Sequence, residues 1–221
     1  MRHLHYIAIV LLAIGCSKTS ETTQDNSTTI KADVNQEQTK MIEEGKKSEV
    51  KERKLLENIE IGMSESEYKK AWRQLGEEQK LRKKNEAYQK YGTLTTEYGI
   101  YDHYYEYRKG NEIYYMSVFP HFINGKLVNL TLNVIQNNEK PVPKDLYRQL
   151  ADDFSKTERG KQFKRFEYVE DTKNDYVTFI KDNLKISFLP GDVCIIDYTN
   201  LPDQEDLFKE YEKNSNSANS L

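Results

Sequence analysis

Residues 126–135, KLVNLTLNVI, alternate between two kinds of side chain: Val128, Leu130, Leu132 and Val134 are apolar, and Asn129, Thr131 and Asn133 between them are polar. Successive side chains of a strand point to opposite faces, so this period demands a β-strand with one dry face and one wet face. Asn124-Gly125 precedes it. That dipeptide is the strongest short hairpin signal, because both central positions of a tight hairpin turn take positive φ. Upstream, Glu112 to Phe119 and Tyr101 to Arg108 have the same strand character and are joined by Lys109-Gly110-Asn111. The three runs form an antiparallel meander. Pro120 cannot donate to a ladder, so it marks a bulge or edge near the second turn.

The period before the meander is helical. Ser64 and Glu67 have capping-box spacing, and Tyr68, Ala71, Trp72 and Leu75 fall on one stripe that closes at Gly76. Trp72 on that stripe belongs to the core. The stretch from Glu77 to Lys90 is charged and reads as a solvated helix extension or loop, or as a basic contact patch. The order then repeats. A helix over 144–155 carries Leu146, Tyr147, Leu150, Ala151 and Phe154. Strands follow over Phe163 to Val169, Tyr176 to Lys181, Leu184 to Leu189 and Val193 to Tyr198, with turns at Asp182-Asn183 and Pro190-Gly191. A last helix over 204–213 offers Leu207, Phe208 and Tyr211. The expected fold class is α+β: tandem helix-plus-antiparallel-meander repeats over 51–138 and 139–213, with the helices packed on one face of the sheet and a disordered tail over 214–221.

The N-terminus reads as an address. An apolar run from Tyr6 to Ile14 follows Arg2 and ends in Ala13-Ile14-Gly15-Cys16. At ~1.5 Å per residue such a run spans roughly 14 Å, too short for a bilayer and suited to a signal-peptide core. The ending resembles the bacterial lipobox, which implies a signal peptide over 1–15, diacylation of Cys16 and attachment to a membrane through that lipid. Of the 34 residues 17–50, 15 are Ser, Thr, Asn or Gln and none is aromatic. Such a composition predicts a disordered tether over 16–50, holding the folded part about 30 Å from the lipid. Cys194 lies in the apolar run Val193-Cys194-Ile195-Ile196 and reads as a buried bystander.

The stretch IEIGMSESEYKKAWRQLG, followed by YEYR, SVF and NGKLVNLTL, resembles the SmpA/BamE family of small outer-membrane lipoprotein domains. Ile59, Gly62, Met63, Ser64, Leu75, Gly76, Gly125 and Lys126 carry the likeness. The tandem arrangement is similar to that of the β-lactamase inhibitor protein. Two features depart from the pattern: no Pro follows Leu75-Gly76, and a long segment separates helix from first strand. The resemblance implies a non-catalytic protein-binding module in the cell envelope, an outer-membrane lipoprotein facing periplasm or cell surface, and it leaves the partner open.

A net charge of −3 with no basic stripe argues against a dedicated nucleic-acid binder. Phosphate loops, nucleophile elbows and zinc spacings are missing from the sequence, so no catalytic residue, metal or cofactor is expected. His103 and Glu106 differ by an odd number along one strand and point to opposite faces. Cys194 and His121 would make a thiol–imidazole pair only if the fold joined them. Asp102, Glu106 and Arg108 read as a solvated charge ladder. The unusual residue is tyrosine: Tyr98, Tyr101, Tyr104, Tyr105, Tyr107, Tyr114 and Tyr115 crowd a short stretch. Amphipathic rings serve core and contact surface alike. The expected contact residues are Tyr101, Tyr104, Tyr105, Tyr107, Tyr114 and Tyr115, binding an envelope protein or, alternatively, a glycan or peptidoglycan; an envelope hydrolase is the third reading.

Overall fold

A computed structural model describes residues 26–77, 82–83, 103–136, 142–168 and 175–218. Cys16, Tyr98 and Tyr101 lie outside them, as do the signal segment and most of the charged stretch 77–90.

The described residues are organised by an eight-stranded sheet. Its strands are β3 (Arg82–Lys83), β4 (His103–Lys109), β5 (Glu112–Ile123), β6 (Lys126–Gln136), β7 (Lys164–Tyr168), β8 (Tyr176–Lys181), β9 (Leu184–Leu189) and β10 (Cys194–Asn200). They lie in the order β3-β4-β5-β6-β10-β9-β8-β7, every pairing antiparallel. Both expected meanders are present. They meet through their last strands, β6 against β10, with Val134 opposite Cys194 and Asn129 opposite Thr199. The segments 51–138 and 139–213 therefore build a single α+β sheet. The turns have the left-handed backbone their residues favour: Asn124 and Gly125 sit at φ 49° and 71°, and Asp182 at 50°. The ladder shifts register at His121/Phe122, just after Pro120 and beyond the part of β5 that pairs with β4.

The first face of the sheet carries the main core. Helix α2 (Glu65–Glu77) opens with the expected capping box: the Ser64 N–H donates to Glu67 Oε2 at 2.7 Å, and the Glu67 N–H donates to Ser64 Oγ at 3.3 Å. The Ser64 N–H and the Ser64 hydroxyl, which also donates to Glu67 Oε2 at 2.7 Å, hold the Glu67 carboxyl below the usual carboxylate range. Tyr68, Ala71, Trp72 and Leu75 are all buried, and helix α3 (Leu146–Lys156) buries Leu146, Tyr147, Leu150 and Ala151. They pack with Val118, Leu130, Leu132, Val134, Ile186, Phe188 and Ile196 in one cluster. A small hairpin, β1 (Lys54–Leu56) and β2 (Ile59–Glu60), closes one end. It leads into Gly62, at φ 85°, whose N–H donates to Leu127 O at 2.8 Å, while Leu127 N–H donates to Met63 O at 2.8 Å. Thus Gly62-Met63 and the Gly125-Lys126 turn, far apart in sequence, are joined at the start of β6.

The second face differs from expectation. Helices were expected on one face alone and a tether over 16–50. Instead, α1 (Asn26–Lys46) is helical, and its Met41 and Ile42 pack on Phe166, Ile180 and Leu201, on the side opposite the main core. Polar composition alone misleads here, because a helix with few apolar residues is stabilised by docking rather than by propensity. Gly45 allows the approach: a Cβ there would lie 2.3 Å from Leu201 Cδ1 and 2.6 Å from Asp182 O. Helix α4 (Gln204–Ala218) also reaches this face and runs into the segment expected as a disordered tail. Ser117, Asn129, Thr178, Ser187 and Thr199, expected to be wet by strand alternation or left unassigned, are buried on this face.

Candidate functional site

Strand register places the side chains of the second face in rows. Nearest α1 and α4 the row reads Lys164, Ile180, Lys185, Thr199, Asn129, His121 across six strands. The next reads Phe166, Thr178, Ser187, Asp197, Thr131, Phe119. In a third row Leu189, Ile195, Asn133 and Ser117 are aligned, with Tyr176 and Tyr168 continuing it across β8 and β7.

The first two rows hold a polar knot. Asn129 Nδ2 donates to Asp197 Oδ1 at 2.8 Å, and Thr199 Oγ1 donates to Asp197 Oδ2 at 2.5 Å. Thr131 Oγ1 lies 3.0 Å from Asp197 Oδ1 and 3.2 Å from Asn129 Oδ1. Thr178 and Ser187 hydroxyls pair at 3.2 Å. Asn129 and Thr199 are buried, so partners supplied within the knot replace the water they lose. Half-buried Lys185 lies on the same row. Burial pushes its ammonium below the ordinary lysine range; Asp197 opposes that and Lys46 adds to it.

His121 and Tyr211 bind α4 to the sheet. Tyr211 Oη lies 3.3 Å from His121 Nδ1, and their ring centroids are 4.8 Å apart. Burial lowers the His121 pKa from its ordinary value, against the pull of Glu210 and Asp197. Burial, with Asp197 and Glu210, pushes the Tyr211 phenol up to about 12. A neutral imidazole accepting from a protonated phenol is the arrangement these shifts favour. The contact fastens α4 to β5.

The thiol–imidazole pair does not form. Cys194 stands opposite Val134 and His121 opposite Asn129, positions of opposite parity on β6, so the sheet lies between them. Cys194 is free and buried, and burial pushes its thiol up to about 12, which keeps it protonated. Among the described residues no group of three or more His, Cys, Asp or Glu could hold a metal ion.

The expected tyrosine surface is redistributed. Tyr114 and Tyr115 are both buried, at 3% and 7% exposure, one on each face. Neither is an outward contact residue: Tyr114 belongs to the main core, and Tyr115 is buried on the opposite face. Tyr104 and Tyr107 lie on β4 opposite Arg82 and Tyr114, and Tyr105 lies opposite Met116. Half-buried aromatic and aliphatic side chains instead gather on the second face: Tyr168 and Tyr176 stack at 5.0 Å and 14°, followed by Leu189 and Ile195, with Ile135 and Phe119 alongside. Tyrosine density did not point to Tyr168 or Tyr176. The signal was positional, since the two flank the connection between β7 and β8, where register brings the rings together.

The chain matches no known protein family, no curated protein and no solved structure.

Proposed function

We propose that this is a lipid-anchored envelope protein whose sheet binds another protein, without catalysis, through its second face. The observation that carries the reading is the half-buried row Tyr168, Tyr176, Leu189 and Ile195, which crosses four strands of the sheet. Apolar and aromatic groups at the centre, with Asp197, Lys185 and Asn133 around them, have the composition of a protein contact: a dry centre inside a polar rim. The partner that fits presents an apolar protrusion rather than a polyanion. The SmpA/BamE-like reading is supported by the hydrogen bonds that join Gly62-Met63 to Leu127, since they give the two short motifs one structural reason to occur together. The strand order, with each meander ending at the sheet centre, supports two helix-plus-meander halves related by an approximate twofold.

A photo-crosslinking residue at Leu189, in the full-length protein in native envelopes, tests the face. A discrete protein adduct is expected, and Ile195→Arg weakens retention of that partner about 30-fold or more, because it sets a charge in the dry centre. Adducts arising only from the Tyr98–Tyr107 region would overturn the assignment. The anchor has its own test. Cys16→Ser is expected to move the protein into the soluble fraction or leave it unprocessed; a variant that stays membrane-bound with the wild-type mass shift refutes lipidation.

A further inference from the structure

We propose that α1 is a releasable strap that covers one end of the second face and opens without unfolding the sheet. Its seat is separate from the main core: Met41 and Ile42 rest on a satellite cluster of Phe166, Ile180 and Leu201. The flanking ion pairs are weak devices, Lys164 with Glu37 and Lys46 with Glu205, the latter at 3.9 Å, and three of these four side chains are about half exposed or more. Shape holds the helix more than charge does, through the close approach of Gly45 to Leu201 and Asp182.

The chain after the helix is clamped independently. Asn183 Oδ1 accepts from the N–H groups of Lys51 and Glu52 at 2.9 and 2.8 Å, and Asn183 Nδ2 donates to Glu52 O at 3.0 Å. Residues 47–50 lie between helix and clamp, and Val50 is 43% exposed. These residues are therefore a hinge: α1 can leave while everything beyond Lys51 stays fixed. Its departure uncovers Phe166 and Ile180, which stand two and four positions along β7 and β8 from Tyr168 and Tyr176 on the same face. Opening would thus extend the row assigned above to partner binding, a consequence that rests on that assignment, whereas the opening itself does not.

Hydrogen exchange on the full-length protein, with no partner present, decides the opening. Amides of 35–46 are expected to exchange about 100-fold or more faster than those of β6 and β10, as a separate low-stability unit. Met41→Asp should abolish protection in α1 and leave β6 and β10 unchanged. Lys164→Glu, an exposed change that sets like charge against Glu37, should speed α1 exchange about 3-fold with the sheet unaffected. Exchange of α1 in step with β6 and β10 in the wild type overturns the strap, and so does a Lys164→Glu protein in which all three change together. The cover is tested by the Leu189 adduct, whose yield should rise in Met41→Asp. An unchanged or lower yield with α1 released overturns the claim that α1 restricts the face. If neither protein forms adducts, the docking face itself fails, and the exchange pattern still decides the strap.

Discussion

Trp72→Ala is expected to destabilise the protein by about 3–5 kcal/mol, the range for deleting a buried aromatic side chain. Trp72 is 1% exposed, stacks on Tyr68 at 6.1 Å and 18°, and belongs to the cluster that joins α2 to the sheet. Truncation to a methyl removes its contacts and leaves a void between a helix and strands that cannot close around it. Trp72 is also the single tryptophan of the chain, so the variant loses its tryptophan fluorescence. The shift is therefore read as a fall in the denaturation midpoint by far-ultraviolet circular dichroism. A change below about 1 kcal/mol would place the indole at the surface.

Asn183→Leu is expected to cost about 3 kcal/mol or more, since each buried polar group left without its partner costs about 1–3 kcal/mol. The Asn183 side chain is fully buried and saturated. Its oxygen takes the Lys51 and Glu52 N–H groups; its nitrogen donates to Glu52 O and to Asn200 Oδ1, the last at 2.8 Å. One amide thus holds the chain entering β1, the β8–β9 turn and the end of β10. Asn183→Asp keeps the acceptor but loses both donors and turns a buried carboxylate oxygen toward the Glu52 and Asn200 oxygens, so urea titration should place it well below wild type. A midpoint equal to that of wild type would show that the two donated bonds contribute nothing. A further fastening comes from Arg159, which donates to the carbonyls of Lys54 and Leu55 and pairs with Glu52 at 3.5 Å. Asn183 therefore acts with a second pin on the same segment, and loss of either is expected to sensitise the protein to loss of the other.

Local sequence by itself determined the elements wherever one physical rule dominated. The alternation of 128–134 set the inward face of β6, Asn124-Gly125 and Asp182-Asn183 set two hairpins, and Ser64 with Glu67 set the start of α2. Each rests on interactions within a few residues, which is why the bounds of β8 and β9 could be read without tertiary information. Cys194 was legible for a related reason: an apolar strand run carries its one thiol indoors. Only the tertiary structure decided the rest. The pairing of β6 with β10 joins residues 60 or more positions apart, and no local pattern encodes it. That pairing put Cys194 and His121 on opposite faces and brought Asn129 and Thr131 beside Thr199 and Asp197. The order in residues 26–46 was hidden because its reason lies elsewhere, in Phe166, Ile180, Leu201 and the space above Gly45. For the same reason a polar strand face came to be buried. Alternation tells a strand which side is more polar, but whether water or a helix meets that side depends on surfaces contributed by distant chain, and those exist only once the sheet has formed.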